Sequence, residues 1–288
     1  MCIAFSGIFY RYAEVSPSTG TVFRCLFGLP ILLGVAYLEW RRFGPMPRAT
    51  IRLAAIAGIF FAGDLTFWHH AIEAVGAGLA TVLGNLSVLV VGFVAWVVLG
   101  ERPTKATLLA IPIVLVGVAL IAGVGGGGYG VDPVLGVVLG LLCALCYSGY
   151  LIIIRRGGHD LRRAAGPVAI ATASTTVTAV LIGLVVGDLD PLPAPASLGW
   201  LALLGITSQS TGYLLISLSL PRLPAVLTSI ILLAQPVVTV GLSIVLLAET
   251  PSQAQLVGGA LVVGGIAVAM LGGRPAAVRL RRRAAAES

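Results

Sequence analysis

The chain has 288 residues, of which 58% are hydrophobic and only 10% charged, and its mean hydropathy is +1.04. A soluble globule carries about 25% charged residues, so this composition excludes a water-solvated fold and makes lipid the solvent for most of the chain. The net charge of +7 is spread over short basic clusters between and after apolar runs, which marks topology and argues against a nucleic-acid surface.

At about 20 residues per crossing plus a turn, the length accommodates about ten spans and no further soluble domain. In chain order the apolar runs are Met1 to Tyr12, Thr19 to Trp40, Ile51 to Glu73, Ala77 to Leu99 and Thr104 to Gly123. Then follow Val134 to Ile154, Gly166 to Val186, Leu198 to Leu220, Ala225 to Leu247 and Gln253 to Gly272. The first is short for a span unless it continues through Val15, and it lacks the basic start and small-residue cleavage site of a signal peptide. The chain therefore divides into a first unit, 1–123, a glycine-rich linker, 124–133, a second unit, 134–273, and a basic tail, 274–288.

Ten crossings place every basic cluster on one side. Arg41, Arg42, Arg48 and Arg52 follow span two, Arg102 and Lys105 span four, Arg155, Arg156, Arg162 and Arg163 span six, Arg222 span eight, and Arg274 to Arg283 span ten. The opposite loops carry Asp132, Asp188 and Asp190 with no Lys or Arg, so both termini are expected in the cytoplasm and the protein in the cell membrane.

The stretch from Phe60 to Pro103 recurs, more loosely, 148 residues later, with Glu101 on Glu249, Pro103 on Pro251 and Gly76-Ala77 on Pro224-Ala225. Five spans per half is an odd number, so the halves enter the membrane from opposite sides as inverted repeats, with a site expected at their interface near the midplane. Asn85 and Val88 stand where the second half has Leu233 and Pro236, so the helix-loosening proline is expected to act in span nine alone.

These features resemble a known family. The endings Gly100-Glu101-Arg102-Pro103 and Ala248-Glu249-Thr250-Pro251, Arg24, Gln235-Pro236, Gly117 and Gly264-Gly265 are similar to EamA-domain proteins of the drug/metabolite transporter superfamily. The resemblance implies an all-α integral membrane protein of ten transmembrane helices in two inverted five-helix repeats. It also implies a secondary carrier, often an exporter of amino acids or other small metabolites, with no cofactor and no metal.

Polar groups inside spans are costly and so mark candidate sites. Asp64 and Asn85 lie at a common depth, about 12 to 14 Å from one end of spans three and four, and suit a substrate amine or a proton, or else an interhelical hydrogen bond. His69 and Glu73, one turn apart beside His70, suggest a proton relay, a metal pair, although two ligands do not make a zinc site, or a helix end reaching interfacial water. Trp68 extends the Asp64 face as a pocket wall or an interfacial anchor. Gln209 and Tyr213 at i, i+4 share a face and, with Gln235, suit a polar or zwitterionic metabolite or serve as helix glue; Tyr147, Ser148 and Tyr150 are weaker candidates. Arg24 either snorkels to headgroups or binds a substrate carboxylate, and Arg11 is ambiguous in the same way.

Glu101 and Glu249 sit beside turn prolines, where they suit acceptance of backbone N–H groups of the following helix. Cys2, Cys25, Cys143 and Cys146 lie in apolar runs as small buried hydrophobes, and Gly123 to Gly128 matches a dinucleotide fingerprint without any strand context. The expected partners are a small polar or zwitterionic metabolite and the bilayer, not nucleic acid, with a homodimer left open. The competing reading is a membrane-embedded enzyme acting on lipid-linked substrates, with His69-His70-Ala71-Ile72-Glu73 as its catalytic cluster, or a lipid-flipping subunit.

Overall fold

The computed structural model describes residues 2–99, 104–124, 129–157, 162–219 and 225–272. Among these residues the fold is helical and contains no strand. A 3₁₀ turn, Cys2–Phe5, leads into α1, Ser6–Ala13, which ends with Glu14 in the left-handed region at φ 50°. Helix α2, Pro17–Phe43, begins with Ser16 accepting the Thr19 N–H and Pro17 at its first position, a helix-start signature. Helix α3 is Arg48–Val75, α4 Ala77–Gly84, α5 Ser87–Leu99, and α6 Lys105–Ile121. Helices α7, Pro133–Gly157, and α8, Ala165–Val186, precede α9, Pro195–Leu204. A π-helical segment, Gly205–Gly212, joins α9 to α10, Tyr213–Ser219, and the chain closes with α11, Ala225–Leu247, and α12, Gln253–Gly272.

Seven of these helical runs are long and apolar enough to cross a bilayer, and 105–121 and 233–247 are shorter apolar stretches. The run from Cys2 to Ala13 is shorter than a crossing. Large apolar side chains such as Leu33, Leu108, Leu115, Leu184 and Val185 point outward, as a lipid-solvated surface requires.

Two expectations about helix continuity are corrected. Pro236 sits inside an unbroken α11, whereas the equivalent stretch of the first half, which has no proline there, is the one that breaks, between α4 and α5. There Gly84 precedes Asn85, whose side-chain amide donates to the Thr81 carbonyl at 2.8 Å while its backbone N–H is shared between Thr81 and Val82. A short amide that binds its own turn offers the backbone an alternative to the helical ladder. The second correction concerns span eight, which is not one α-helix. Its middle widens to a π segment where Ser210 Oγ donates to the Gly205 and Ile206 carbonyls at 3.2 and 2.7 Å.

Helix α3 packs against α7 and α8, and α9 with the π segment packs in the same manner against α1 and α2. Three pairs complete the body: α2 beside α8, α4 beside α11, and α6 beside α12. With no hydrophobic force between helices in lipid, close approach depends on small residues. At the α6/α12 crossing, a Cβ on Gly117 would lie 2.6 Å from the Gly258 carbonyl, and one on Gly258 would lie 2.6 Å from the Gly117 carbonyl.

Carboxylates from neighbouring helices meet several helix starts. Glu39 of α2 accepts the N–H groups of Ala164, Ala165 and Gly166 at 2.8 to 2.9 Å, at the start of α8. At the other end of the same pair, Asp188 Oδ2 accepts the Ser18 N–H of α2 at 3.2 Å. Glu249 accepts the N–H of Ala77 at 2.7 Å and of Gly78 at 3.3 Å, at the start of α4 and 171 to 172 residues away in sequence. The expected partner of Glu249 was the helix that follows it. Ser252 Oγ fills that place instead, accepting the Gln255 N–H at 3.2 Å. Glu101, Pro103, Arg102 and the tail from 273 lie outside the described residues.

The glycine contact sets a stability prediction. Gly117→Val forces the α6 and α12 backbones apart and destabilises the protein by about 1–3 kcal/mol, the usual cost of overpacking. A thermal melt in detergent checks it, with Gly92→Ala, where an added Cβ meets nothing within 4 Å, as the control.

Candidate functional site

A cavity of about 310 Å³ lies between α2, α3, α4, α7, α10 and α11, within the range of small-ligand sites. Six of the eight sequence candidates line it: Arg24, Asp64, Trp68, Asn85, Tyr213 and Gln235. The common depth of Asp64 and Asn85 therefore does correspond to one cavity. His69 and Gln209 stand behind the wall and act on the residues that form it.

Arg24 is 2% exposed, which removes the headgroup-snorkelling alternative. Its Nε donates to Gln209 Oε1 at 3.0 Å, and its guanidinium carbon lies 5.7 Å from the Trp68 ring centre. One terminal nitrogen of the guanidinium, Nη1, is buried without a protein partner. Gln209 in turn donates to Thr172 Oγ1 at 3.1 Å, so the amide is committed on both sides. The π segment is what brings it there. Gly205 and Gly28 let the segment and α2 meet backbone to backbone, since a Cβ on Gly28 would lie 3.0 Å from the Gly205 carbonyl. The widened turn sends Gln209 towards Arg24 and Tyr213 into the cavity, so the expected i, i+4 face is split.

Asp64 accepts a hydrogen bond from the Cys143 thiol at 3.0 Å. Sequence reasoning assigned that cysteine only a packing role; its place about three helical turns into α7 gave no local signal of a carboxylate opposite. Trp68 is buried, not an interfacial anchor. The remaining wall is aromatic: Phe61 stacks on Tyr150 at 4.7 Å between centres and meets Tyr213 edge-on at 5.2 Å, and Tyr147 stacks on Tyr150 at 5.8 Å. Of these, Tyr147 and Tyr213 face the cavity. Ser148 is turned away, donating to the Ala144 carbonyl at 2.6 Å.

His69 is fully buried and Tyr10 lies flat on it, with ring centres 4.1 Å apart. Its Nδ1 is 2.8 Å from Thr21 Oγ1, which also lies 2.8 Å from the Pro17 carbonyl, and its Nε2 is buried without a protein partner. Glu73 does not pair with His69; it accepts the Tyr10 hydroxyl at 3.0 Å. Trp68, His69 and Tyr10 thus form a floor. Beyond it lies a second hollow of about 350 Å³, lined by Tyr10, Arg11, Glu14, Ser16 and Glu73.

The main cavity opens away from this floor. Gln255, at the start of α12, bonds the backbone N–H and carbonyl of Tyr129 just before α7, so α7 and α12 begin at the same end of the molecule. The cavity is lined at its mouth by their far ends, Arg155 and Met270, with Leu151 and Ile216. Arg155, a topology marker in the sequence, is therefore also a residue of the mouth.

A charged and aromatic cavity inside a helical body whose surface is apolar defines a multi-pass membrane protein with an internal cavity. The chain belongs to the EamA-like transporter family, whose model matches residues 1–123 and 134–271. It is 28% identical over 220 residues to the aromatic amino acid exporter YddG of Ancylobacter novellus, covering 75% of this chain and 74% of that protein. A solved crystal structure superposes with a TM-score of 0.61 at 20% identity, covering 94% of this chain and 99% of that one, which shows the shared fold.

One prediction follows from the Arg24 contacts. Gln209→Leu leaves a buried guanidinium N–H and the Thr172 hydroxyl without their partner and costs about 2–3 kcal/mol. Gln209→Glu restores an acceptor and recovers much of the stability, as read from melting in detergent.

Proposed function

We propose that this protein is a secondary transporter that exports zwitterionic metabolites with a flat or bulky apolar side chain, amino acids among them, by alternating access. The observation that carries this reading is the unpartnered guanidinium nitrogen of Arg24 in a cavity that also holds Asp64 and an aromatic wall. Arg24 would take the substrate carboxylate, a geometry that guanidinium suits. Asp64, Asn85 and Gln235 would take the amine, and Trp68, Tyr147 and Tyr213 the side chain. The exporter named among the relatives supports the same substrate class.

The architecture in this reading is ten transmembrane helices in two inverted units, 1–123 and 134–273, joined by 124–133. The like-for-like packing of α3 on α7 and α8 and of α9 on α1 and α2 supports it. By the positive-inside rule the termini and the 274–288 tail are cytoplasmic, the cavity mouth faces the cytoplasm, and the membrane is the cell membrane. Coupling to protons would run through Asp64, whose donor is the Cys143 thiol.

The test is flux of labelled amino acids in proteoliposomes, with and without a pH gradient. Saturable flux that Arg24→Gln lowers about tenfold or more, and that loses its gradient response in Asp64→Asn, is the expected result. Absence of flux for the whole pool, with hydrolysis or flipping of a lipid-linked substrate that depends on His69 and His70, would replace this reading with the enzyme or lipid-subunit one.

A further inference from the structure

We infer that Glu249 is the gate residue of the closed end, a carboxylate that α11 lends to the start of α4 only while that end is shut. The inference rests on the transport reading for its purpose but on the cap itself for its geometry. Glu249 is 2% exposed and holds two backbone N–H groups of α4. The backbone is shaped for the contact on both sides. Ala248, immediately before it, is a non-glycine residue at φ 51°, a conformation that L side chains adopt only when the surroundings enforce it. Gly76, at φ 89°, faces it across the gap; a Cβ there would lie 2.9 Å from the Glu249 carboxyl carbon. The helices touch beside the cap, where a Cβ on Gly78 would lie 2.6 Å from Ser243 Oγ.

The α2/α8 pair provides the comparison. It is capped at both ends in the same structure, by Glu39 at one and by Asp188 at the other, and so is tied along its length. Helices α4 and α11 are held at the Glu249 end, while towards the mouth Asn85 and Gln235 face the cavity. Parting of α4 and α11 where Glu249 joins them would open that cavity to the far side. On parting, water enters and solvates both the carboxylate and the amides, so the bond is cheap to open wet and favourable to remake dry.

Two measurements on the full chain test the inference. In cells, the rate at which a membrane-impermeant maleimide labels Ser243→Cys reports opening of the Glu249 end. Combining it with Glu249→Gln is expected to raise that rate about tenfold, the equilibrium value of one charge-assisted hydrogen bond. Equal rates with and without Glu249→Gln overturn the inference, whether or not any flux is found. In proteoliposomes, oxidising Gly78→Cys/Ser243→Cys should stop flux and reduction should restore it; flux that persists through a complete crosslink also overturns the inference. The crosslinked pair keeps Glu249, so it remains decisive if Glu249→Gln proves too unstable to label.

Discussion

The structure depends on one constraint: a helix that starts inside or against lipid exposes N–H groups that no water reaches, and each one left bare costs about 1–3 kcal/mol. A chain with only 11 acidic residues uses several of them to meet it. Asp132 caps its own helix through the Leu135 N–H at 2.9 Å, and Glu39, Asp188 and Glu249 reach across to helices far away in sequence. The caps fix which helices run side by side and at what height, so they do for this fold what salt-bridge registers do for a soluble bundle. Against that pattern Asp64 stands apart, because it is buried, faces the cavity and takes its hydrogen bond from a thiol.

The second determinant is the widened turn at Gly205–Gly212. A regular α-helix would have set Gln209 and Tyr213 on one stripe; the π segment gives them different tasks, one fixing Arg24 and the other forming the aromatic wall. Its hydroxyl-rich sequence, Thr207-Ser208-Gln209-Ser210, supplies local acceptors and donors for the loosened backbone, while Gly205 removes the bulk that would hold α2 away and Gly212 the bulk that would meet Ile3. A buried cation in a membrane protein needs partners that hold it, and here Gln209 and Trp68 fix the guanidinium from two sides, leaving Nη1 without a protein partner.

Much of this was legible in the sequence because lipid makes polar residues conspicuous. Six of eight candidates line the cavity for that reason alone. What was not legible depends on which helix lies opposite. Nothing near Cys143 reveals Asp64 across the interface, nothing near Glu249 points to α4 instead of α12, and Tyr10, lying between His69 and Glu73, belongs to a segment whose extent the hydropathy left open. Helix irregularities were misplaced for a related reason. Proline is a visible breaker, yet Pro236 is accommodated, while the actual break depends on Asn85 bonding its own turn and on packing around Gly84.

The layout also explains how a nearly rigid body could move at all. Helices α6 and α12 meet through backbone at Gly117 and Gly258, and α2 and α8 are capped at both ends, so neither pair can slide without breaking several short contacts together. Helix α4 is different in kind: eight residues long, interrupted at Asn85, and anchored at its start by a side chain from the other half. Motion in a close-packed interior concentrates where the fewest contacts must change at once. The α4/α11 seam, which carries Asn85 and Gln235 along the cavity, is tied at one end by the Glu249 carboxylate.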